Sequence, residues 1–224
     1  MTVTNLYSSD ALNKGLERYL KPEAQKKLGA AIIGIAGAGG LGSNVAAHLV
    51  RSGVKNFVIA DFDRVEASNL NRQFFFPDQI GKFKVDALAE NLLRIAPDIN
   101  LKLYPERLTY GNTRQIFEDC SAIIEAFDDP KSKKMLVESF MNTDRFLVVA
   151  SGIGGYGSPD TIKARKIKEN FYIVGDGQTA SDKTIPPMSP RVGLAAAIQA
   201  DLILMYFIGT LTGKEANKEC NHDK

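Results

Sequence analysis

Cysteine is scarce in this sequence: Cys120 and Cys220 are the only two among 224 residues. A disulfide framework needs more, and a zinc site with paired Cys-x-x-Cys spacing needs two such pairs, so both are excluded. An excess of one charge is missing as well. Lys and Arg number 28 against 26 Asp and Glu, a formal net charge of +2, which gives no support for a nucleic-acid binder held by bulk electrostatics. Residues 1–20 carry polar and charged positions throughout, with no apolar run of the length a signal peptide or membrane span requires. The expectation is a soluble, cytoplasmic protein with neither nucleic acid nor membrane as partner. No internal repeat and no low-complexity tract occurs.

What is present is enough apolar residue, 44%, for one substantial core, and the length fits a single α/β domain over 1–224. The run Ala-Ala-Ile-Ile-Gly-Ile at 30–35 reads as a strand buried on both faces of a parallel sheet. Apolar Val45, Ala46, Leu49 and Val50 then recur at helical spacing over 44–52, ending at Gly53. A second strand at 57–60 ends on Asp61, and 84–95 reads as an amphipathic helix stopped before Pro97. Further strands at 101–104, 122–126 and 146–150 alternate with helices near 113–118 and 130–142. The pattern predicts a Rossmann-like, mostly parallel sheet with helices on both faces. After Ser151 a glycine-rich turn leads to an antiparallel pair at 162–167 and 171–174, a C-terminal extension of the sheet. Residues 179–190 have the composition of a mobile loop, 192–208 form an apolar helix, 1–27 form an N-terminal helical segment, and a charged, frayed tail begins at 212.

Gly37-Ala38-Gly39-Gly40-Leu41-Gly42 matches G-x-G-x-x-G between a strand and a helix, the setting that gives the motif meaning. Gly37, Gly39, Gly40 and Gly42 permit the tight turn and a close backbone approach to phosphate, and the helix N-terminus adds free N–H groups and partial positive charge. Asp61, about 20 residues on, can accept hydrogen bonds from ribose hydroxyls. That pairing suits NAD, ATP or S-adenosylmethionine equally, so it names a nucleotide and leaves the chemistry open.

The stretch 61–73 followed by Gly81-Lys82-Phe83-Lys84 discriminates. Hydride transfer leaves a pyrophosphate intact and has no need of Arg72 and Lys84 beyond the second strand. Nucleotidyl transfer needs such cations, because charge builds on the attacked phosphate and on departing pyrophosphate. Lys84 opens a helix, where the dipole disfavours a cation, so an anionic ligand is expected beside it. Asn69 can fix a phosphate or ribose oxygen, Gln73 can hold Arg72 in place, and Lys82 reads as a surface residue.

On these residues the chain resembles the ThiF/MoeB/HesA branch of the ubiquitin-activating-enzyme-like adenylyltransferases. The resemblance runs from about residue 28 to 208, carried by Gly-Ala-Gly-Gly-Leu-Gly at 37–42, Asp-Phe-Asp at 61–63, Ser-Asn-Leu-Asn-Arg-Gln at 68–73, Gly81-x-x-Lys84 and Glu-Ala-Phe-Asp-Asp at 125–129. It implies that Asp61 binds ribose, with Asp63 in the same cofactor-binding segment, that Arg72 and Lys84 bind ATP phosphates, and that Asp128 binds Mg²⁺. One carboxylate with phosphate oxygens and water suits Mg²⁺. Asp129 is either a further acid behind the metal or, by residue preference, the N-cap of a helix starting at Pro130.

The family pattern is broken in two places. Many relatives hold zinc through two Cys-x-x-Cys pairs, and none is present here, so no zinc is expected. Some use a cysteine between the magnesium region and the C-terminus for covalent capture, whereas 121–219 has none. Cys120 reads as a small buried hydrophobe, and Cys220 with His222 makes only half a metal site. The resemblance is nearest to the short, zinc-free ThiF type. It implies adenylation of the C-terminal Gly carboxylate of a small ubiquitin-like sulfur carrier with a Gly-Gly tail, a ThiS-like protein of thiamine thiazole biosynthesis. Sulfur then comes from a separate protein, and the enzyme is a homodimer. A molybdopterin-type MoaD-like carrier, a nicotinamide-dependent oxidoreductase and a non-catalytic partner subunit are the competing readings.

Overall fold

A computed structural model describes residues 11–181 and 184–210. Seven strands, β1 (Ile32–Ala36), β2 (Asn56–Ala60), β3 (Asn100–Tyr104), β4 (Ala122–Glu125), β5 (Phe146–Ala150), β6 (Lys163–Lys168) and β7 (Phe171–Gly175), form one sheet. Their order is β3-β2-β1-β4-β5-β7-β6. All pairings are parallel except β6 on β7, so the mostly parallel sheet with an antiparallel extension is present as expected. β1 is central because its Ile-Ile-Gly-Ile-Ala run has no polar side chain to hydrate. Gly34 is needed there for space, since a Cβ would lie 2.8 Å from the Phe117 ring.

Helices cover both faces, which is what a sheet buried on both sides requires. On one face lie α2 (Pro22–Ala30), α3 (Gly40–Arg51), α4 (Lys84–Ile95) and α7 (Ser189–Ile208), contributing Leu28, Leu49, Leu88, Leu92, Ala196 and Ile203 to one core cluster. On the other lie α5 (Thr113–Ile116) and α6 (Pro130–Phe140), whose Ile116, Leu136 and Phe140 pack with Phe117 and Val58. Each such fully buried Leu, Ile or Phe contributes about 2 kcal/mol. α7 is long and apolar enough to cross a membrane by length and composition; in this fold Val192, Ala195, Ala196 and Ile203 are core.

Several boundaries differ from the sequence expectation. The first strand starts at Ile32, because Ala30 closes α2 and the Ala31 N–H bonds back to Lys27 and Leu28 carbonyls. The helix after the glycine loop starts at Gly40, inside the loop, with the Ser43 N–H already bonded to the Gly39 carbonyl. α7 starts at Ser189 with Pro190 in its first turn, where the missing N–H is no loss. The N-terminal segment contains α1 (Ala11–Leu16) before α2. The tail from 212, with Cys220 and His222, lies outside the described residues.

Candidate functional site

The connection leaving β1 and that leaving β4 run to opposite sides of the sheet, which opens a crevice at their carboxyl ends. The glycine loop fills the mouth of that crevice. Gly37 donates its N–H to the Ala60 carbonyl at 2.9 Å and adopts φ +101°, and a Cβ there would come 2.9 Å from the Ala126 oxygen. At Gly42 a Cβ would sit 1.9 Å from the Gly37 oxygen. Gly37 is excluded from bearing a side chain by conformation and Gly42 by contact. Gly37, Gly39 and Gly40 line the cavity, whereas Gly42 lies behind it, packing helix against loop. No side chain caps α3, so its first turn offers an anion-binding end to the cavity.

Asp61, just past β2, uses one carboxylate oxygen to accept the Ala38 N–H at 2.6 Å and the other to accept the Asp63 N–H at 2.8 Å. It thereby fixes the glycine loop, and each oxygen retains a second lone pair. Burial pushes its pKa up, while the Lys84 charge and the two backbone donors oppose that shift. Lys84 is buried and ion-paired to Asp63 at 2.8 Å. The anion expected beside this first-turn lysine is therefore, in this structure, a carboxylate of the chain itself. Asp63 and Lys84 both line the cavity.

Arg72 also reaches the cavity, its guanidinium held by the Ser68 carbonyl at 3.0 Å and the Asn71 side-chain oxygen at 2.7 Å. Burial lowers its pKa and the facing Asp128 carboxylate raises it. Gln73 was expected to hold Arg72 and does not: its buried Oε1 has no hydrogen-bond partner, and it lines the cavity by itself. Asn69 is likewise corrected. Its side-chain oxygen accepts the Glu66 N–H at 3.0 Å in a reciprocal cap on the short 3-10 turn Ala67–Asn69, and it does not line the cavity. Lys82 pairs with Glu90 on the surface. Cys120 is buried, and burial pushes its thiol up to about 12.

Asp128 is exposed on the cavity wall beyond β4. Asp129 is the N-cap of α6, accepting the Ser132 N–H and hydroxyl at 2.8 Å each. No group of three or more His, Cys, Asp or Glu side chains suited to a metal occurs among the described residues. One free carboxylate beside an anion site matches a cation that takes its other ligands from phosphate and water.

Two ion pairs went unread in the sequence. Glu125, fully buried at the end of β4, pairs with Lys133 of α6 at 2.9 Å. Asp176, after β7, pairs with Arg191 of α7 at 2.6 Å. An acid closing an apolar strand signals the first, but eight residues separate it from its partner. The second pair closes a strap whose described residues are 177–181 and 184–190. The Thr179 carbonyl accepts the Gly154 N–H at 3.0 Å, the Pro186 carbonyl accepts the Gly155 N–H at 3.1 Å, and Pro187 accepts from Asn71 at 3.2 Å. Thr179, Ala180, Ser181 and Pro187, together with Ser151 and Gly152, line this side of a cavity of about 690 Å³. At the opposite end Arg107 stacks on Phe62, 3.7 Å from its ring centroid.

Known proteins agree with this architecture. The ThiF family model matches residues 12–223. The adenylyltransferase and sulfurtransferase UBA4 of Eremothecium gossypii is 32% identical over 188 residues, covering 84% of this chain and 40% of that protein. The UBA4 protein of Candida glabrata is 34% identical over 192 residues, covering 81% and 44%. The chain therefore spans less than half the length of these curated relatives. Among solved structures, the E. coli tRNA N6-threonylcarbamoyladenosine dehydratase TcdA in complex with ATP superposes with a TM-score of 0.82 at 20% identity, covering 89% of this chain and 94% of that one. E. coli MccB with ATP gives 0.66 at 21% identity, covering 82% and 58%. The structural likenesses speak for the fold alone; with the family model spanning nearly the whole chain, they leave one conclusion, that this chain belongs to the ThiF family.

Proposed function

We propose that the chain adenylates the C-terminal glycine carboxylate of a small ubiquitin-like sulfur carrier, with ATP as the nucleotide. The observation that carries this reading is the convergence of an uncapped helix N-terminus, two cations, Arg72 and Lys84, and the Asp128 carboxylate on one cavity. Hydride transfer would leave those three side chains without a task. The names of the UBA4 relatives support adenylyl transfer.

In this reading the glycine loop seats the phosphates, and Asp61 takes the ribose hydroxyls on its remaining lone pairs. Asp63 sits in the same wall and holds Lys84 until phosphate oxygens share the ammonium. Gln73, on the cavity wall, would offer its side-chain NH2 to a phosphate oxygen, while Gly42 acts through the shape of the glycine loop and Asn69 through that of the 67–69 turn rather than on ATP. Asp128 would hold Mg²⁺ together with phosphate oxygens, and that ion would supply charge neutralisation. A carrier tail runs beneath the strap to Ser151 and Gly152. Its carboxylate oxygen attacks the α-phosphorus, the bond from that phosphorus to the bridging oxygen breaks, and pyrophosphate leaves. The carboxylate is ionised at neutral pH, so no general base is needed. Arg72 and Lys84 stabilise the charge that builds up, and catalysis is positioning plus electrostatics.

From the family resemblance and the absence of Cys from residues 121–219, the proposal extends to a ThiS-like carrier of thiamine thiazole biosynthesis in preference to a MoaD-like one, a homodimer, a cytoplasmic setting and a separate protein as sulfur donor. The test is to mix the chain with ATP, Mg²⁺ and purified ThiS-like or MoaD-like carrier and to weigh the carrier. Addition of one adenylate to the ThiS-like carrier is expected. A mass unchanged for every carrier tried would overturn the reading.

A further inference from the structure

The ends of β4 and β5 carry the two sides of the cavity. Asp128 follows β4, and Ser151 with Gly152 follows β5. Backbone pairing of these strands stops at Ile124 with Val148, one residue short of Glu125 and two short of Ala150. A parallel ladder that stops leaves the outgoing segments free to diverge. Here side chains take over the bonding. The Glu125 carboxylate accepts the Phe127 N–H at 2.7 Å on its own strand exit and the Ala150 N–H at 3.2 Å on the neighbouring one. Lys133, from the second turn of α6, donates to both Glu125 oxygens at 2.9 and 3.0 Å and to the Ala150 carbonyl at 3.1 Å.

The three N–H bonds of the ammonium are thereby all used. Lys133 lines the cavity, yet it has no donor left for a ligand. Stability alone does not require such a pair, since apolar residues of similar volume commonly serve a core as well. What a fully hydrogen-bonded pair of a buried carboxylate and a part-buried ammonium adds is a defined separation of the segments it joins.

Resting on the adenylation reading above, we propose that Glu125 and Lys133 are positioning residues: they latch the exits of β4 and β5 together, so that the nucleotide-side Asp128 and the acceptor-side turn at 151–153 are held at the spacing the transfer step needs. ATP affinity is set elsewhere, by the glycine loop, Asp61, Arg72 and Lys84, so the latch acts on turnover and not on nucleotide binding. A misplacement of about 1 Å is enough to cost on the order of 10²-fold in rate.

Three variants of the full chain test this: Lys133→Met, Lys133→Arg, and the double Glu125→Gln/Lys133→Met. Each is read by residue-resolved amide exchange, by ATP binding in titration calorimetry, and by carrier-dependent turnover per ATP-binding site. In Lys133→Met, which removes all three bonds of the ammonium, the amides of 126–128 and 150–153 are expected to exchange at least roughly tenfold faster, the net worth of about one hydrogen bond, with those of β2 and α4 unchanged. ATP affinity stays within about twofold, as at an independent site, and turnover falls on the order of 10²-fold. Lys133→Arg, which can still span both carboxylate oxygens, restores protection and turnover. The double variant removes the unpaired buried charge, so it regains the melting temperature of the wild type but neither the protection nor the turnover. The latch is overturned if those amides keep wild-type exchange, if turnover per site is unchanged although they open, or if the double variant regains full turnover. Absence of carrier-dependent turnover in the wild type counts against adenylation alone, and the exchange pattern then still decides the latch.

Discussion

The two halves of the cavity are built by different means. Toward β2 and β3 the wall is assembled chiefly from hydrogen bonds to backbone, with one ion pair added: the Ala60 carbonyl holds the Gly37 N–H, Asp61 holds the Ala38 N–H, and Asp63 pairs with Lys84. Toward β5 and β7 it is assembled from ion pairs that join separate elements, Glu125 to Lys133 and Asp176 to Arg191. The first kind of wall suits a ligand of fixed shape, such as a nucleotide. In the proposed function the second, lined by Thr179, Ala180, Ser181 and Pro187, takes a chain segment that must enter and leave. The nucleotide half is thus held mainly by side chains and carbonyls bonded to backbone N–H groups, and the acceptor half by a few removable ion pairs.

The largest effect is expected at Gly42→Ala. Its methyl would fall 1.9 Å from the Gly37 oxygen, costing about 3 kcal/mol or more; calorimetry should find ATP binding lost along with a lowered melting temperature. Next comes Arg72→Ala, for which ATP–pyrophosphate exchange should fall by about 10²–10³-fold, the usual cost of one transition-state donor, while ATP still binds. An exchange rate left intact would remove Arg72 from the nucleotide half. Arg191→Met tests the other half: it takes the cation from the part-buried Asp176 carboxylate, which keeps the Gln178 and Thr179 donors, so the cost is about 1–3 kcal/mol, and amide exchange should rise in the strap while the glycine loop keeps its protection.

A smaller, graded effect comes from acid. Burial pushes the Asp176 carboxyl up, but the Thr179 hydroxyl, the Thr179 and Gln178 amides and the Arg191 charge outweigh it and bring it down to about 2. A depressed carboxylate contributes stability that is complete above its unfolded value, near 3.8, and that fades as pH falls toward about 2. Strap amides should therefore lose protection between those limits before the β1–β2 amides do. Loss in the reverse order would contradict the contrast. The smallest effect is expected at Lys82→Ala, an exposed pair with Glu90, worth less than about 0.5 kcal/mol by melting.

The same contrast explains what could be read from the sequence. The nucleotide half was legible because strand, glycine loop, helix and acid follow one another within a short stretch, each step carried by local rules of turn and burial. The places where it misled are long-range. An isolated bridge between Arg64 and Phe83 brings Asp63 to Lys84, so the lysine met an internal carboxylate where a ligand was expected. Asn69 has a residue type and spacing that suit a phosphate contact, and equally suit the turn cap it makes. The acceptor half was legible in outline only. The glycine-rich turn and the proline-rich strap stood out by composition, but no local rule couples Glu125 to Lys133, or Asp176 to Arg191 across the strap. The parallel sheet and its antiparallel extension followed from the burial pattern of the strands, whereas the strand order came only with the structure; the boundaries shifted where a cap or a glycine moved a helix end.

Carrier-dependent ATP–pyrophosphate exchange tests the central claim most directly. With ATP, Mg²⁺ and labelled pyrophosphate, label should enter ATP when a sulfur carrier with an intact Gly-Gly tail is present, and not when those two glycines are removed. Label that enters ATP equally without carrier, or none at all with every carrier while ATP is bound, would contradict adenylation of a carrier tail.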